Sequence, residues 1–547
     1  MTSPSPDFAA VFQHEVLNQP EPLPEYDAVA DDPVLAEGLA AFGVEQPASL
    51  KSIGRAAGSK QAREWGRLAD TYTPVLHTHD RYGNRLDEVE FHPAWHHLMG
   101  TAVSNGLHAA PWRSARQGAH VERAVGFMAW YQVEAGHGCP ISMTYAAVPA
   151  LQVDPELAAR YVPGLASTSY DFGLRPPADK SGLIAGMAMT EKQGGSDVRA
   201  NTTRAYPDPD SGWFRLLGHK FFCSAPMSDL FLVLAQDGEE GLSCFVVPRV
   251  LPDGTRNPFA IQRLKDKLGN RSNASSEIEF TGTWAQRLGE PGRGVRTIVE
   301  MVSATRLDCV LGSAALMRRA LTEAGWHAAR RSAFGRPLLA QPLMRTVLTD
   351  LAVEVEAAQW LGLRLAAAVD AGEDDFRRIA LPMGKYYVCK RAPGQIFEAM
   401  EALGGSGYVE DSGLPRLYRE APVNSIWEGS GSINALDLLR AMAREPGSVD
   451  AWLTEIADVR GSDPAVDAAL LGVLDSLALD PAALEPRARW LAEQMVTLLQ
   501  TSLLQRYAPP AVAEAFVARR FGRTPATVGA TLASGDDEVL ARSLIVT

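Results

Sequence analysis

Between Val295 and Leu403 the sequence carries three consecutive runs of apolar residues at helical spacing, each about thirty residues long. The first, Val295 to Arg331, would be about 55 Å long at about 1.5 Å per residue, and Phe334-Gly335-Arg336-Pro337 stops it. The second runs from Pro342 to Ala371. The third runs from Asp374 to Leu403 and ends at Gly404-Gly405, with Pro382 and Pro393 expected to kink or interrupt it. Helical pattern resumes from Ile433 to Arg444. Three or four long antiparallel helices with short connections describe a bundle.

Upstream the texture differs. Residues 1 to about 45 are rich in Pro, Asp and Glu and read as an extended arm with one short helix, either wrapped on a neighbouring subunit or a loose tail. From Ser49 to Ala166 the spacing is helical, through Phe91, Trp95, Leu98 and Met99 and again through Ala124, Phe127, Met128 and Tyr131. His92, His96 and His97 lie there without a carboxylate at ligand spacing, so no metal site is expected. Between Gly182 and Phe280 short β-like runs appear at 213–217, 230–234 and 244–247, divided by turn residues such as Pro252-Asp253-Gly254. The absence of alternating helices argues for a small antiparallel β domain. Beyond Glu445-Pro446-Gly447-Ser448 the chain is Ala- and Leu-rich amphipathic helix punctuated by proline, read as a separate helical domain.

Charge and cysteine usage narrow the functional classes. A net charge of −13 argues against a globally nucleic-acid-binding surface and leaves room for a local basic patch. The five cysteines are scattered, with no CxxC or Cys/His cluster, which fits buried reduced thiols in a cytoplasmic protein. The first seven residues lack the basic flank and apolar run of a signal peptide, and no run of about 18 apolar residues predicts a membrane span.

The chemistry concentrates in Ser425-Ile426-Trp427-Glu428-Gly429-Ser430-Gly431. Gly429 and Gly431 let backbone approach a ligand closely. Glu428 among apolar neighbours would have its pKa raised by desolvation, as a general base near neutral pH requires. Taken alone, the stretch reads more readily as a turn with a solvated glutamate.

Other stretches agree with the first reading. Met187-Ala188-Met189-Thr190-Glu191 followed by Gly194-Gly195-Ser196-Asp197, Phe222-Cys223-Ser224, Lys267-Leu268-Gly269-Asn270-Arg271-Ser272, Arg331-Ser332-Ala333-Phe334-Gly335, Gly404-Gly405-Ser406-Gly407-Tyr408 and Arg419-Glu420-Ala421 precede the Glu428 loop in that order. This series resembles the acyl-CoA dehydrogenase flavoproteins, whose W/Y-E-G-[ST] loop carries the glutamate that removes the substrate α-proton. The resemblance implies an α+β architecture: an N-terminal helical domain, a middle antiparallel β domain, a C-terminal four-helix bundle and, here, an extra helical C-terminal domain. The expected boundaries are an arm at 1–45, a helical domain at 46–181, a β domain at 182–290, the bundle with the catalytic loop at 291–444, and the added domain at 445–547. It also implies FAD as cofactor and Glu428 as catalytic base. Met187, Met189, Thr190, Ser196, Phe222, Cys223, Ser224, Arg331, Gly404, Gly405, Ile426, Trp427, Gly429, Ser430 and Ser432 are expected at the cofactor, Arg331 reaching the diphosphate of a flavin held by the adjacent subunit. Glu401 stands where relatives carry a glutamine that meets the diphosphate.

Within that family the AidB-like branch fits best, on Asn18-Gln19-Pro20, on Thr190 to Asp197, on Arg263 to Ala274 and on Asn424 to Gly431. This branch is tied to the response to DNA alkylation. The likeness implies a homotetramer, feeble α,β-dehydrogenation of an acyl-CoA or related thioester, and binding of double-stranded DNA through the added domain. The alternative it raises is a DNA-binding flavoprotein that protects DNA from alkylating agents with little dehydrogenase turnover. Arg440 and Arg444 at the entrance to that domain, and Arg519, Arg520 and Arg523 within it, are the candidate DNA contacts. Residues 441–547 nevertheless hold nine arginines, no lysine and fourteen acidic residues, so these arginines either line one basic face or make ion pairs to the core.

Overall fold

The computed structural model describes residues 15–522, 528 and 535–545. After an extended arm, α1 (Pro33–Ala41), α2 (Ala48–Gly58) and α3 (Lys60–Thr71) lead to a hairpin of β1 (Val75–His79) and β2 (Arg85–Glu90). That hairpin interrupts the stretch expected to be all helical. Its sequence is rich in polar residues such as Thr78, Asp87 and Glu88, so it carries no clear apolar alternation. α4 (Pro93–Ser104), α5 (Ala119–Tyr131), α6 (Gly138–Leu151) and α7 (Pro155–Leu165) complete the helical layer. His92 caps α4 by accepting from the Ala94 N–H at 3.1 Å, and His96 bonds the Tyr170 hydroxyl at 2.8 Å.

Seven strands follow: β3 (Ala185–Ala188), β4 (Arg204–Pro207), β5 (Phe214–Ser224), β6 (Leu230–Asp237), β7 (Leu242–Pro248), β8 (Phe259–Leu264) and β9 (Ser275–Leu288). Pairings β6–β4, β4–β5, β5–β9, β9–β7 and β7–β6 close a ring, with β3 on β6 and β8 on β9. The pairings of β6 with β3 and with β4 are parallel, which corrects the expectation of a purely antiparallel domain. Register between strands distant in sequence depends on how the intervening chain returns, and no local pattern encodes it.

α8 (Gly294–Arg330), a two-residue hairpin of β10 (Ser332–Ala333) and β11 (Arg336–Pro337), α9 (Pro342–Ala371) and α10 (Asp374–Glu401) form the long bundle. α8 packs on both α9 and α10, and also on α5 and α6. Of the expected kink or interruption at Pro382 and Pro393, the interruption does not occur: α10 runs unbroken through both. Pro382 and its neighbours from Ile379 to Cys389 are all buried. Packing on both sides outweighs the one hydrogen bond that each proline removes.

α11 (Leu414–Asn424) and α12 (Gly431–Arg444) bracket the Glu428 loop. The C-terminal helices include α13 (Gly447–Glu455), α14 (Pro464–Leu477), α15 (Ala488–Tyr507), α16 (Pro510–Arg520) and α17 (Asp536–Ser543). They do not stand apart: Leu491, Met495, Phe516 and Leu540 belong to the same buried cluster as Trp360, Met383 and Leu311 of the bundle. The seam includes buried charge. Arg520 donates to Glu354 at 2.5 Å and pairs with Asp350 at 3.0 Å, its side chain only 9% exposed. Arg519 is fully buried against Asp536 at 3.0 Å. These two guanidiniums face inward, which corrects their assignment as DNA contacts. Arg523 lies outside the described residues.

Replacing Arg520 with Met should leave Glu354 buried with Arg391, 3.2 Å away, as its remaining cation. We expect the unfolding free energy to fall by about 3–5 kcal/mol, as for other broken buried pairs. A lower urea midpoint checks this, and a midpoint within error of wild type refutes it.

Candidate active site

The loop from Ser425 to Ser430 turns sharply because Glu428 sits at φ +56 and Gly429 at φ +94, both in the left-handed region. A non-glycine residue there is strained unless its surroundings enforce it. Three consecutive carbonyls are pinned. Lys385 Nζ, from the buried face of α10, donates to the Trp427 carbonyl at 2.8 Å and to the Gly429 carbonyl at 2.5 Å. Arg306 Nε, from α8, donates to the Glu428 carbonyl at 3.0 Å and is itself held by Asp437 at 2.6 Å. Asn434 Nδ2 adds a second bond to the Gly429 carbonyl at 2.6 Å. A Cβ on Gly429 would lie 3.2 Å from Asn434 and 3.3 Å from Arg306, so this tight turn requires glycine.

Held this way, the Glu428 carboxylate accepts from the Thr305 hydroxyl at 2.8 Å. Burial raises its pKa above that of an ordinary glutamate, against the opposing effects of the Thr305 bond and the Lys385 and Arg306 charges. The Glu428 N–H donates to no described protein acceptor. Nearby, burial pushes the Cys139 thiol up to about 12, with the Ser224 hydroxyl opposing and the Glu428 charge reinforcing the shift. Ser224 at the end of β5 and the glutamate thus both lie near this thiol.

The other wall follows β3. Met187, Met189 and Thr190 are half-buried, while Ala188 between Met187 and Met189 is buried, the alternation of a strand edge. Met187, Met189 and Trp427 pack on one apolar cluster. The Thr190 carbonyl accepts from the Phe221 N–H at 2.9 Å, which fastens this loop to β5. Glu191 anchors it from beneath. Burial alone would raise its pKa, yet Lys220 at 2.8 Å and the threonine donors hold the Glu191 carboxyl at about 2. A Cβ on Gly195 would lie 2.8 Å from Thr190 Oγ1, so the loop fits closely only as glycine. Ser196 is exposed beyond it.

Along β5 the residues alternate. Phe222 is 50% exposed and Ser224 half-buried, whereas the Cys223 side chain is buried in the barrel core. The Cys223 side chain therefore points away from the exposed face of β5, which leaves only its backbone for a contact there. Ile426, 66% exposed, extends the apolar surface on the Glu428 loop. Exposed apolar faces, an open Gly194-Gly195 backbone and hydroxyls at Thr190, Ser196 and Ser224 fit a planar heteroaromatic ring with a phosphate tail, as in FAD.

Several expected residues lie elsewhere in the single chain. Arg331 caps the end of α8 and donates to the carbonyl of Asn18 in the arm. Gly404, at φ +61, and Gly405 are exposed in a turn after α10. Among the described hydrogen bonds, none joins these groups to the Glu428 site. Ser430 precedes α12, and the Ser432 hydroxyl accepts from Arg489 of α15 at 2.9 Å. Glu401 is exposed. Thr305, Arg306, Lys385 and Asn434 were not anticipated. Lys385 alone leaves a trace in the sequence, as a lone cation within the apolar run of α10.

Three sequence profiles match: the adaptive response protein AidB N-terminal domain over residues 18–172, the acyl-CoA dehydrogenase middle domain over 186–283, and the acyl-CoA dehydrogenase C-terminal domain over 292–443. The chain is 47% identical over 510 residues to AidB of Escherichia coli (strain K12), covering 92% of this chain and 93% of that protein. It is 31% identical over 462 residues to acyl-CoA dehydrogenase family member 11 of Caenorhabditis elegans, covering 80% and 74% respectively. The crystal structure of C. elegans ACDH-11 in complex with C11-CoA matches with a TM-score of 0.82 at 25% identity, over 99% of this chain and 95% of that one. A glutamate pinned in a left-handed turn opposite a β-domain wall is thus read together with these matches: the chain belongs to the AidB branch of the acyl-CoA dehydrogenase family of FAD-dependent flavoenzymes.

Proposed function

We propose that Glu428 removes the α-proton of an acyl thioester as a hydride leaves the β-carbon, giving the α,β-unsaturated thioester. The observation that carries this reading is a carboxylate with a raised pKa held in one orientation by Lys385, Arg306 and Thr305. FAD, held by Met187, Met189, Thr190, Ser196, Phe222 and Ser224, supplies the acceptor for the hydride. A thioester α-proton is far less acidic than a carboxylic acid, so the substrate carbonyl oxygen needs a donor as its charge grows. The Glu428 N–H, free of any described protein acceptor, suits that role.

The same reading places Arg331, Gly404 and Gly405 at the flavin of a neighbouring subunit in a homotetramer. Its support is that Phe334 and Tyr408, beside these groups, are 98% and 81% exposed. A light-scattering mass of a single chain would refute it. Cytoplasmic residence is supported by five buried free cysteines. No helix among the described residues is long and apolar enough to cross a membrane.

A second reading, binding of double-stranded DNA in a protective role, now rests on Arg440 and Arg444. They are exposed one turn apart on α12, with no ion pair among the described residues. With two phosphate contacts, log affinity should fall with log salt at a slope of only about −2. No binding to a duplex at low salt would remove this reading.

The test of the main reading is anaerobic mixing of FAD-loaded protein with acyl-CoAs while flavin absorbance is followed. Glu428→Gln should slow bleaching by about 10²–10⁴-fold with flavin retained; bleaching at the wild-type rate overturns the assignment. Glu428 acts ionised, so its raised pKa places the acidic limb of the rate profile above that of an exposed glutamate. Thr305→Val removes a bond that favours the ionised form and should move that limb to higher pH. A limb moving to lower pH would contradict the Thr305 role.

A further inference from the structure

Asp437 is the one acidic residue of α12, on the same side of the helix as Asn434, three residues earlier. Asn434 bonds the Gly429 and Ser430 carbonyls at 2.6 and 3.1 Å. Asp437 makes no described bond to the loop itself; it holds the arginine that does. Its Oδ2 accepts from Arg306 Nη1 at 2.6 Å, while Arg306 Nε donates to the Glu428 carbonyl at 3.0 Å. Its Oδ1 accepts from Arg378 Nη2, on α10, at 3.1 Å, and Arg378 Nε donates to Glu445, the residue after α12, at 3.0 Å. Charges of alternating sign therefore run from Arg306 through Asp437 and Arg378 to Glu445 and join α8, α12 and α10. Exposure rises outward along this row, from 13% for the Arg306 side chain and 16% for Asp437 to 27% for Arg378 and 45% for Glu445. Burial alone would raise the Asp437 pKa, yet the two guanidiniums hold it below the ordinary value, so it stays ionised.

A guanidinium is a planar fork, and a single bond leaves that plane free to rotate. Arg306 needs a second fixed contact if its Nε is to stay on the Glu428 carbonyl, and Asp437 supplies it through a charge-assisted bond. Asp437 has one oxygen on each arginine, so it cannot turn without giving one up. The carbonyl fixed in this way belongs to a residue at φ +56, a conformation that an unrestrained glutamate would leave. The outer end of the row reaches Glu445, where the backbone passes into the C-terminal helices. The first turn of α12 is tied to α15 as well, by Arg489 on the Ser432 hydroxyl at 2.9 Å. We infer that Asp437 is a positioning residue for Glu428, an inference that rests on the reading of Glu428 as the base. Through Arg306 it keeps the carboxylate aimed, and through Arg378 and Glu445 it links that aim to the entry of the C-terminal helices.

The test is anaerobic reduction of the FAD-loaded full chain by acyl-CoAs of several lengths, followed over pH. Wild type is compared with Asp437→Asn, Asp437→Glu, Arg378→Gln and Glu428→Gln. Asparagine keeps the shape of Asp437 but turns an N–H donor toward one of the two guanidiniums. In Asp437→Asn the limiting rate on the pH plateau should fall about tenfold. Flavin content and the acyl-CoA dissociation constant should stay unchanged, and amide exchange across residues 425–430 should quicken. Asp437→Glu keeps a carboxylate and should recover most of the rate. Arg378→Gln, nearer the surface, should show the same split at about threefold. A wild-type plateau rate in Asp437→Asn overturns the inference. So does a rate loss that comes with lost flavin or weakened acyl-CoA binding, since Asp437 would then only hold the fold. If Asp437→Asn does not fold, Arg378→Gln decides, and a wild-type plateau there overturns the inference. Bleaching of Glu428→Gln at the wild-type rate sinks the reading of Glu428 as base, and this inference with it. An inert Glu428→Gln beside a fully active Asp437→Asn sinks the inference alone.

Discussion

The buried ammonium of Lys385 holds the active loop in place. It is 1% exposed and joins two carbonyls on either side of Glu428. An unpaired buried cation is costly, and here the compensation comes from backbone dipoles. Without those bonds a glutamate at positive φ would relax to an extended conformation and swing its carboxylate away from Thr305. The long helices can be read as the frame for this contact: α8 brings Arg306 and Thr305, α10 brings Lys385, and both belong to one buried core.

Much of this frame is legible in the sequence. The three long helices are legible within a few residues because their apolar spacing is continuous; the runs at 230–234 and 244–247 fall in β6 and β7, and that at 213–217 starts one residue before β5. The hairpin of β1 and β2 escaped notice because residues such as Thr78, Asp87 and Glu88 give it a polar texture. Of the site, the Glu428 loop and the Thr190 loop were visible as motifs. Thr305 and Arg306 were not, since nothing in their own neighbourhood marks them. They become functional only when α8 lies against a loop more than a hundred residues away.

The C-terminal arginines teach the converse. Arg519-Arg520 looks like an exposed basic patch in one dimension. In three dimensions Asp350 and Glu354, on a helix some 166 residues earlier, neutralise Arg520, and Asp536 neutralises Arg519. Net charge over a segment says little when its partners come from another segment. The exposed Arg199, Arg296 and Arg444, without an ion pair among the described residues, line one crevice beside α8 yet come from three parts of the chain and form no run in the sequence.

Closure of the strand ring also governs how this chain avoids sticking to copies of itself. Because β6 bonds β7 as well as β4, the ring exposes no long row of idle N–H and C=O groups. The remaining borders belong to β3, four residues long, and β8, six residues long. Strands that short give a foreign chain little to zip onto. The wall that faces the glutamate can therefore stay apolar and uncovered without becoming a template for amyloid-like growth.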